Sequence, residues 1–262
     1  MATTNTLNKP RLHLALAGLL VVGGLFTWFG IMQARASGVP SAPSPAIGAV
    51  LNRTLPSSIA HLSFENQEGH QVTLDQYRGR TVLLAPFLTS CQEECPVTTG
   101  ALLDIERAIV ADKLTHKVVI AEVTVDPGRD KPDRMAAYAH TTGSIWPLLT
   151  ASSATIARLW HFFGIYYQKV PEGSPPGINW ETGKPYTYDV DHSDGFILLN
   201  GQLHERFFDG GMVRVSSVPT RIRTLLDAQG VQNLRHPGGG SWTIADALNA
   251  IGWSLGRAVP SP

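Results

Sequence analysis

The stretch TVLLAPFL, residues 81–88, runs without a charge straight into TSCQEECP, residues 89–96, and this junction limits the fold more than any other feature of the chain. An apolar run of this length with no polar alternation fits a strand covered on both faces, as in a sheet flanked by helices. Pro96 suits the first turn of a helix. Leu102, Ile105 and Ile109 then recur on one side while Asp104, Glu106 and Arg107 take the other. The two cysteines, Cys91 and Cys95, are the only ones in 262 residues, and they fall in this strand-to-helix crossing.

The surrounding segments extend the same alternation. Residues 61–73 (HLSFENQEGHQVT) hold two short extended runs around Glu68-Gly69, a hairpin signal. Residues 117–124 (KVVIAEVT) predict a second buried strand, which leads through VDPGRDKP (125–132) into a helix over 133–140. A short strand is expected within 144–149 and a helix over 153–163, with Ile156, Leu159 and Phe163 inward. The Pro- and Gly-rich stretch 171–188 (PEGSPPGINWETGKPYTY) predicts an insertion, removable without harm to the site. Residues 196–199 and 202–208 around Asn200-Gly201 predict a hairpin, followed by a helix over 219–228. This order predicts an α/β, thioredoxin-like fold. Ile244, Leu248, Ile251 and Leu255, with Thr243 and Asp246 as caps, predict an extra C-terminal amphipathic helix packed on the body.

The N-terminus bears on compartment. Residues 14–32 (LALAGLLVVGGLFTWFGIM) carry no formal charge and, as a helix, would span roughly 28 Å, close to bilayer thickness. Lys9 and Arg11 precede the run and only Arg35 follows closely, so the positive-inside rule exports the body. A cleaved signal peptide is the alternative, with Ala34-Arg35-Ala36 as a small-x-small site, but the run exceeds the usual apolar length. The expected organisation is a cytoplasmic N-terminus (1–11), a transmembrane anchor (12–32), a Pro/Ala/Ser-rich tether (33–58), a thioredoxin-like domain (59–230) and a C-terminal extension (231–262). The body is then held at the inner membrane, in the periplasm or an equivalent exported space. Twenty-one basic residues balance twenty-one acidic ones, which argues against nucleic acid as a partner.

Two cysteines four apart on a helix lie one turn from each other, so both sulfurs can reach one ion. A helix N-terminus favours thiolate, whereas Glu93 and Glu94 oppose it, so extreme thiol acidity is not expected. A structural disulfide would close a very short loop, where loop-closure entropy gives least. A redox pair more commonly has two intervening residues. A metal site needs a further ligand, and His192, in YDVDHS, stands where thioredoxin-like folds bring a loop against the dithiol; its alternative is a surface histidine bonded to backbone. Asp126, Pro127 and Pro132 can serve simply to end a strand and start a helix, with Asp126 or Arg129 in addition shaping the site.

Three motifs taken in order, Cys91-x-x-x-Cys95-Pro96, Val125-Asp126-Pro127-x-Arg129-Asp130-x-Pro132 and Asp191-His192-Ser193, resemble the Sco/SenC family of membrane-anchored copper proteins that serve cytochrome c oxidase. The resemblance covers roughly residues 60–228. It implies a metallochaperone that binds copper, as Cu(I) or Cu(II), through Cys91, Cys95 and His192 and passes it to an oxidase subunit carrying a copper site. The rival reading is a thiol-disulfide oxidoreductase using Cys91 and Cys95 on exchange partners. A third is a peroxiredoxin-like thiol peroxidase, for which Pro86 and Thr89 imperfectly imitate the residues ahead of the nucleophile. The chain departs from the family where Gln92-Glu93 replaces a frequent Pro-Asp, and in the length of 171–188 and of the tail after Gly230.

Overall fold

The apolar strand that ends at the cysteines lies near the middle of an eight-stranded sheet. The computed structural model describes residues 40–261. In chain order the elements begin with β1 (Gly48–Thr54), α1 (Ser57–Ala60), β2 (Phe64–Asn66), β3 (Gln71–Val72), a 3-10 turn (Leu74–Tyr77) and β4 (Thr81–Phe87). Next come α2 (Cys95–Ala111), β5 (Val118–Thr124), α3 (Pro132–Thr142), β6 (Leu148–Thr150), α4 (Ser153–Phe163) and β7 (Tyr167–Val170). The last part holds β8 (Asp189–His192), β9 (Gly195–Leu199), β10 (His204–Gly210), β11 (Val213–Arg214), α5 (Thr220–Arg223), α6 (Ala228–Arg235), β12 (Trp242–Thr243) and α7 (Ile244–Leu255).

The sheet order is β1-β10-β9-β4-β5-β6-β2-β3. Strand β4 runs parallel to β5, from Thr81 opposite Val118 to Phe87 opposite Thr124, and antiparallel to β9 on its other side. The βαβ unit β4-α2-β5 joined to the β9-β10 hairpin is the thioredoxin-like arrangement that the order of elements predicts. Every residue of β4 is buried, because side chains alternate into two cores. Leu83, Ala85 and Phe87 pack with α2, α5, α6 and α7, while Val82 and Leu84 pack with α1 and α4.

Local signals explain the helix ends. Pro96 sits in the first turn of α2 and Pro132 in that of α3. The Ser152 hydroxyl accepts from Thr155 N at the start of α4, and Gly164 closes the same helix in the left-handed region at φ 74°. Thr243 and Asp246 form the expected capping box at the start of α7.

The structure corrects several expectations. Residues 48–54 are not tether: β1 pairs with β10 at one edge of the sheet, and Asp209 Oδ1 accepts from Ala46 N (2.9 Å) and Ile47 N (3.3 Å). Among the described residues the fold therefore includes β1 from Gly48, upstream of the start expected near Ile59. The helix expected over 219–228 is two, α5 and α6, because the Asp227 carboxylate caps a new N-terminus by accepting from Gly230 N. A boundary at 230 thus falls inside α6. The residues after it are core and not appendage, since Leu248 and Ile251 of α7 are buried on the side of β4 and α2, and Trp242 is buried against Phe196 of β9. Asn200-Gly201 makes a longer turn than two residues, with the Asn200 side chain accepting from Gln202 N and His204 N. The expected cytoplasmic N-terminus, the anchor and residues 33–39 of the tether lie outside the described residues. Among the described residues no helix is long and apolar enough to cross a membrane.

Candidate metal centre

Strand β4 delivers the chain at Leu88 to a turn that holds Cys91, and α2 begins only at Cys95. The two cysteines are therefore not one helical turn apart, as their spacing suggested: Cys91 precedes the helix and Cys95 is its first residue. Cys91 is half-buried and Cys95 buried, and both are free thiols. The Cys91 sulfur caps the helix, accepting from Glu94 N (3.4 Å) and Cys95 N (3.3 Å), two of the amides that a helix start leaves without partners.

His192 ends β8, whose pairing with β7 sets Tyr167 opposite His192. It lies in a strand and not the loop expected of it, yet it arrives at the predicted place. Its Nδ1 lies 3.0 Å from the Ser193 carbonyl, an acceptor that fixes the proton on Nδ1 and leaves Nε2 facing Cys95 Sγ at 3.4 Å. The donor atoms of Cys91, Cys95 and His192 all lie within 4.8 Å of one another. Cys91 and His192 line a cleft of about 490 Å³ rimmed by carboxylates, Glu93, Glu94, Asp191 and Asp194 among them, with no lysine or arginine in its lining, while Cys95 lies buried behind them.

Electrostatics divides the pair. The Cys91 thiol is held well below its ordinary value, chiefly by the contact from Cys95, with further help from His192 and Glu94 N against the cost of burial. Burial, then the Cys91 thiolate, pushes Cys95 well above it. For His192 burial works against the charged ring, but contact with Cys91 and the Asp194 and Cys91 charges together outweigh it and raise the group to about 9. The expectation that the thiols would not be extremely acidic assumed two charged glutamates between the cysteines. Burial and the Cys91 charge bring Glu93 up to about 7, and sharing with Asp194 followed by burial brings Glu94 up to about 8, so their opposition to a thiolate is weakened at neutral pH.

Beneath the cluster a polar network fixes its approach. Asp130 is fully buried; it accepts from the Thr89 hydroxyl and amide and from the Thr124 hydroxyl. Arg134 donates to Thr89 Oγ1 (2.6 Å), Glu181 (2.9 Å) and the Tyr186 hydroxyl (3.2 Å), and its guanidinium lies 5.2 Å from the Trp180 ring. Trp180 Nε1 donates to the Thr89 carbonyl at 2.7 Å. Residues 171–188 are thus bound to the segment entering Cys91, contacts that the expectation of a removable insertion did not include. Asp126 and Arg129 pair with each other and hold the start of β8: Tyr188 Oη donates to Asp126, Arg129 donates to the Tyr188 carbonyl, and the guanidinium stacks 3.9 Å from that ring. They touch neither cysteine nor His192; they position the strand that carries it.

Arg134, Trp180 and Tyr186 are not marked in the sequence, and Asp130 is marked there only as part of the 125–132 motif, with no role in a network. The i,i+4 spacing of Asp130 and Arg134 is the one local signal for Arg134; nothing local marks Trp180 or Tyr186.

The family model described as SCO1/SenC matches residues 54–224. The chain belongs to the SCO1/SenC family. Among curated relatives it is 30% identical over 124 residues to the human protein SCO2 homolog, mitochondrial, covering 47% of this chain and 43% of that protein. It is 26% identical over 92 residues to the SCO1 protein homolog of Bacillus subtilis (35% of this chain, 47% of that protein), and 26% identical over 204 residues to protein sco1 of Schizosaccharomyces pombe (75% and 71%). The chain thus spans less than half the length of the human and Bacillus relatives it matches. Solved structures similar to it include copper-bound ScoI of Bradyrhizobium japonicum, at 21% identity and a TM-score of 0.49, over 70% of this chain and 96% of that one. The SCO1/SenC match ends at Thr224, before α6, β12 and α7.

Proposed function

We propose that this SCO1/SenC chain is a copper metallochaperone, with copper as cargo held by Cys91, Cys95 and His192 and passed on for assembly of a copper site in cytochrome c oxidase. The observation that carries the reading is the convergence of two sulfurs and one imidazole nitrogen within 4.8 Å, with Cys91 and His192 facing a cleft and Cys95 buried behind them. That donor set fits the metal: thiolates suit Cu(I), and adding imidazole makes Cu(II) acceptable. A half-buried site at a cleft mouth also leaves room for an incoming ligand from an acceptor. Sequence features support membrane attachment through residues 12–32, with the body on the exported side. Anaerobic titration of the reduced full-length chain with copper, counting metal per chain, tests the proposal. One copper per chain is expected; none bound at micromolar protein would overturn it.

A second reading has its own observation. The half-buried Cys91 sulfur, with two amide N–H groups aimed at it and a low thiol pKa, is built as an attacking thiolate for a thiol-disulfide oxidoreductase. Reduction of a disulfide-bonded partner by the metal-free dithiol at wild-type rate in a His192→Ala variant would favour it.

A further inference from the structure

The loop between the cysteines is gripped at one residue from two sides. The backbone carbonyl of Gln92 accepts from Asp227 N at 3.0 Å, at the start of α6. Its side-chain oxygen Oε1 accepts from Ile178 N at 3.1 Å, in the middle of residues 171–188. Each grip has a glycine beside it: at Gly230 a side chain would not fit, and at Gly177 a side chain would displace the Gln92 amide. A Cβ on Gly230 would overlap the Gln92 carbonyl oxygen and stand 3.0 Å from Glu93 Cα, backbone atoms that cannot swing aside. A Cβ on Gly177 would stand 2.7 Å from Gln92 Oε1. The braces are themselves anchored: Asp227 caps α6 through Gly230 N, and the 171–188 segment is tied down by Arg134 and by Trp180 on Thr89.

We propose that Gln92 is a positioning residue, through which residues 171–188 and the C-terminal segment beyond Thr224 together set the geometry at which Cys91 and Cys95 meet. Fixing residue 92 fixes the peptide that follows it, and with it the aim of Glu94 N and Cys95 N at the Cys91 sulfur. A loop held this way presents its sulfurs to a metal ion already arranged; a released loop must order itself on binding, and affinity falls. The bonds are made in the dithiol form; in this proposal closing the disulfide reshapes the loop and weakens them, so their loss favours the disulfide. The consequence for copper rests on the copper reading, but the consequence for the dithiol does not.

The test uses the full-length protein and four substitutions. Gln92→Ala removes the side-chain bond, and Ile178→Pro removes the same bond from the donor's side while leaving the cysteine loop untouched. Gly230→Ala pushes α6 off the loop, and Gln229→Ala, on an exposed side chain of the same helix, is the control. Two quantities are read beside the thermal midpoint: copper affinity against a competing chelator, and the oxidation constant of the metal-free pair against glutathione. In the latter, two thiols give two electrons and two protons to oxidised glutathione, yielding one protein disulfide and two reduced glutathiones. Gln92→Ala and Ile178→Pro should weaken copper about tenfold and raise the oxidation constant about threefold or more, a modest hydrogen bond's worth, at an unchanged midpoint. Gly230→Ala should shift both quantities the same way and Gln229→Ala neither. A wild-type oxidation constant in both Gln92→Ala and Ile178→Pro, or shifts that merely track a falling midpoint, would overturn the proposal. If the wild-type protein takes no copper, the copper reading fails, and the oxidation constant alone decides the brace.

Discussion

Cys95 Sγ and His192 Nε2 lie 3.4 Å apart although 97 residues separate them in the chain. Two different elements must be right for this to happen. The turn between β4 and α2 has to set Cys95 at the helix start, and β8 has to leave the ribbon with β7 at a residue whose ring faces the helix N-terminus. Loss of any one of the three side chains should therefore be felt as loss of a cluster. For His192→Ala the two thiolates remain, so Cu(I) binding should persist while Cu(II) affinity falls by more than the roughly 10–100-fold typical of losing an outer partner of a ligand. Cys91→Ser or Cys95→Ser should cripple both oxidation states. Chelator competition with each oxidation state checks this, and normal Cu(II) affinity in His192→Ala would remove the imidazole from the site.

The polar network under the cluster predicts a cost that surface accessibility alone would not suggest. Arg134 stands 4.0 Å from the fully buried Asp130, shares Thr89 with it, and also holds Glu181 and Tyr186. Arg134→Met leaves a buried carboxylate without its cation, a change of about 3–5 kcal/mol for a pair of this kind. The same variant frees residues 171–188 on one side. Denaturant melts should show the lost stability, and limited proteolysis should cut within 171–188 faster than in the wild type. A variant as stable as wild type would show that the network carries no load.

Buried Glu122 gives a pH signature. It is fully enclosed between β4 and β6, accepting from Trp146 Nε1 (2.7 Å) and Thr99 Oγ1 (3.2 Å), and burial raises it from 4.5 to about 7 against the opposing pull of those two donors. Between these values the unfolded chain has lost its proton while the folded chain keeps it, so stability falls as pH rises from about 4.5 to about 7. At about 1.4 kcal/mol per unit the span amounts to about 3 kcal/mol. Asp130, raised by burial to about 6, adds in the same direction at the acid end. Glu122→Gln keeps an acceptor for Trp146 and removes the titration. Stability measured from pH 4.5 to 7.5 should decline less steeply in the variant than in the wild type; equal slopes would place the proton elsewhere.

The parts of this architecture legible in the sequence are those written by local periodicity and caps. The continuous burial of β4 and β5, the bounds of α4 and the Thr243-Asp246 box follow from residue spacing within one element. His192 was legible because fold order placed its segment against the dithiol. Illegible were the pairings made across the chain. Residues 48–54 look like tether because Pro, Ala and Ser surround them, and only the open edge of β10 makes them a strand. Gln92, an unremarked polar residue between two cysteines, gains meaning only from Asp227 and Ile178, more than 80 residues away in sequence.

The C-terminal segment supplies the last prediction. Trp242 stacks edge-on against Phe196 with ring centroids 4.9 Å apart, and its Nε1 donates to the Gly211 carbonyl at 3.0 Å, so one side chain ties β12 to the β9-β10 hairpin. Leu248 and Ile251 of α7 fill the same core against α2. Had residues 231–262 been an appended helix, Trp242→Ala would leave the domain intact. As part of the core it should cost about 3–5 kcal/mol, the range for deleting a large buried aromatic, and it should do so in one cooperative transition. A chain ending at residue 230 would lose α7 and most of α6, and should fail to fold at all. Cooperative unfolding of such a truncated chain at the wild-type midpoint would return the segment to the status of an extension.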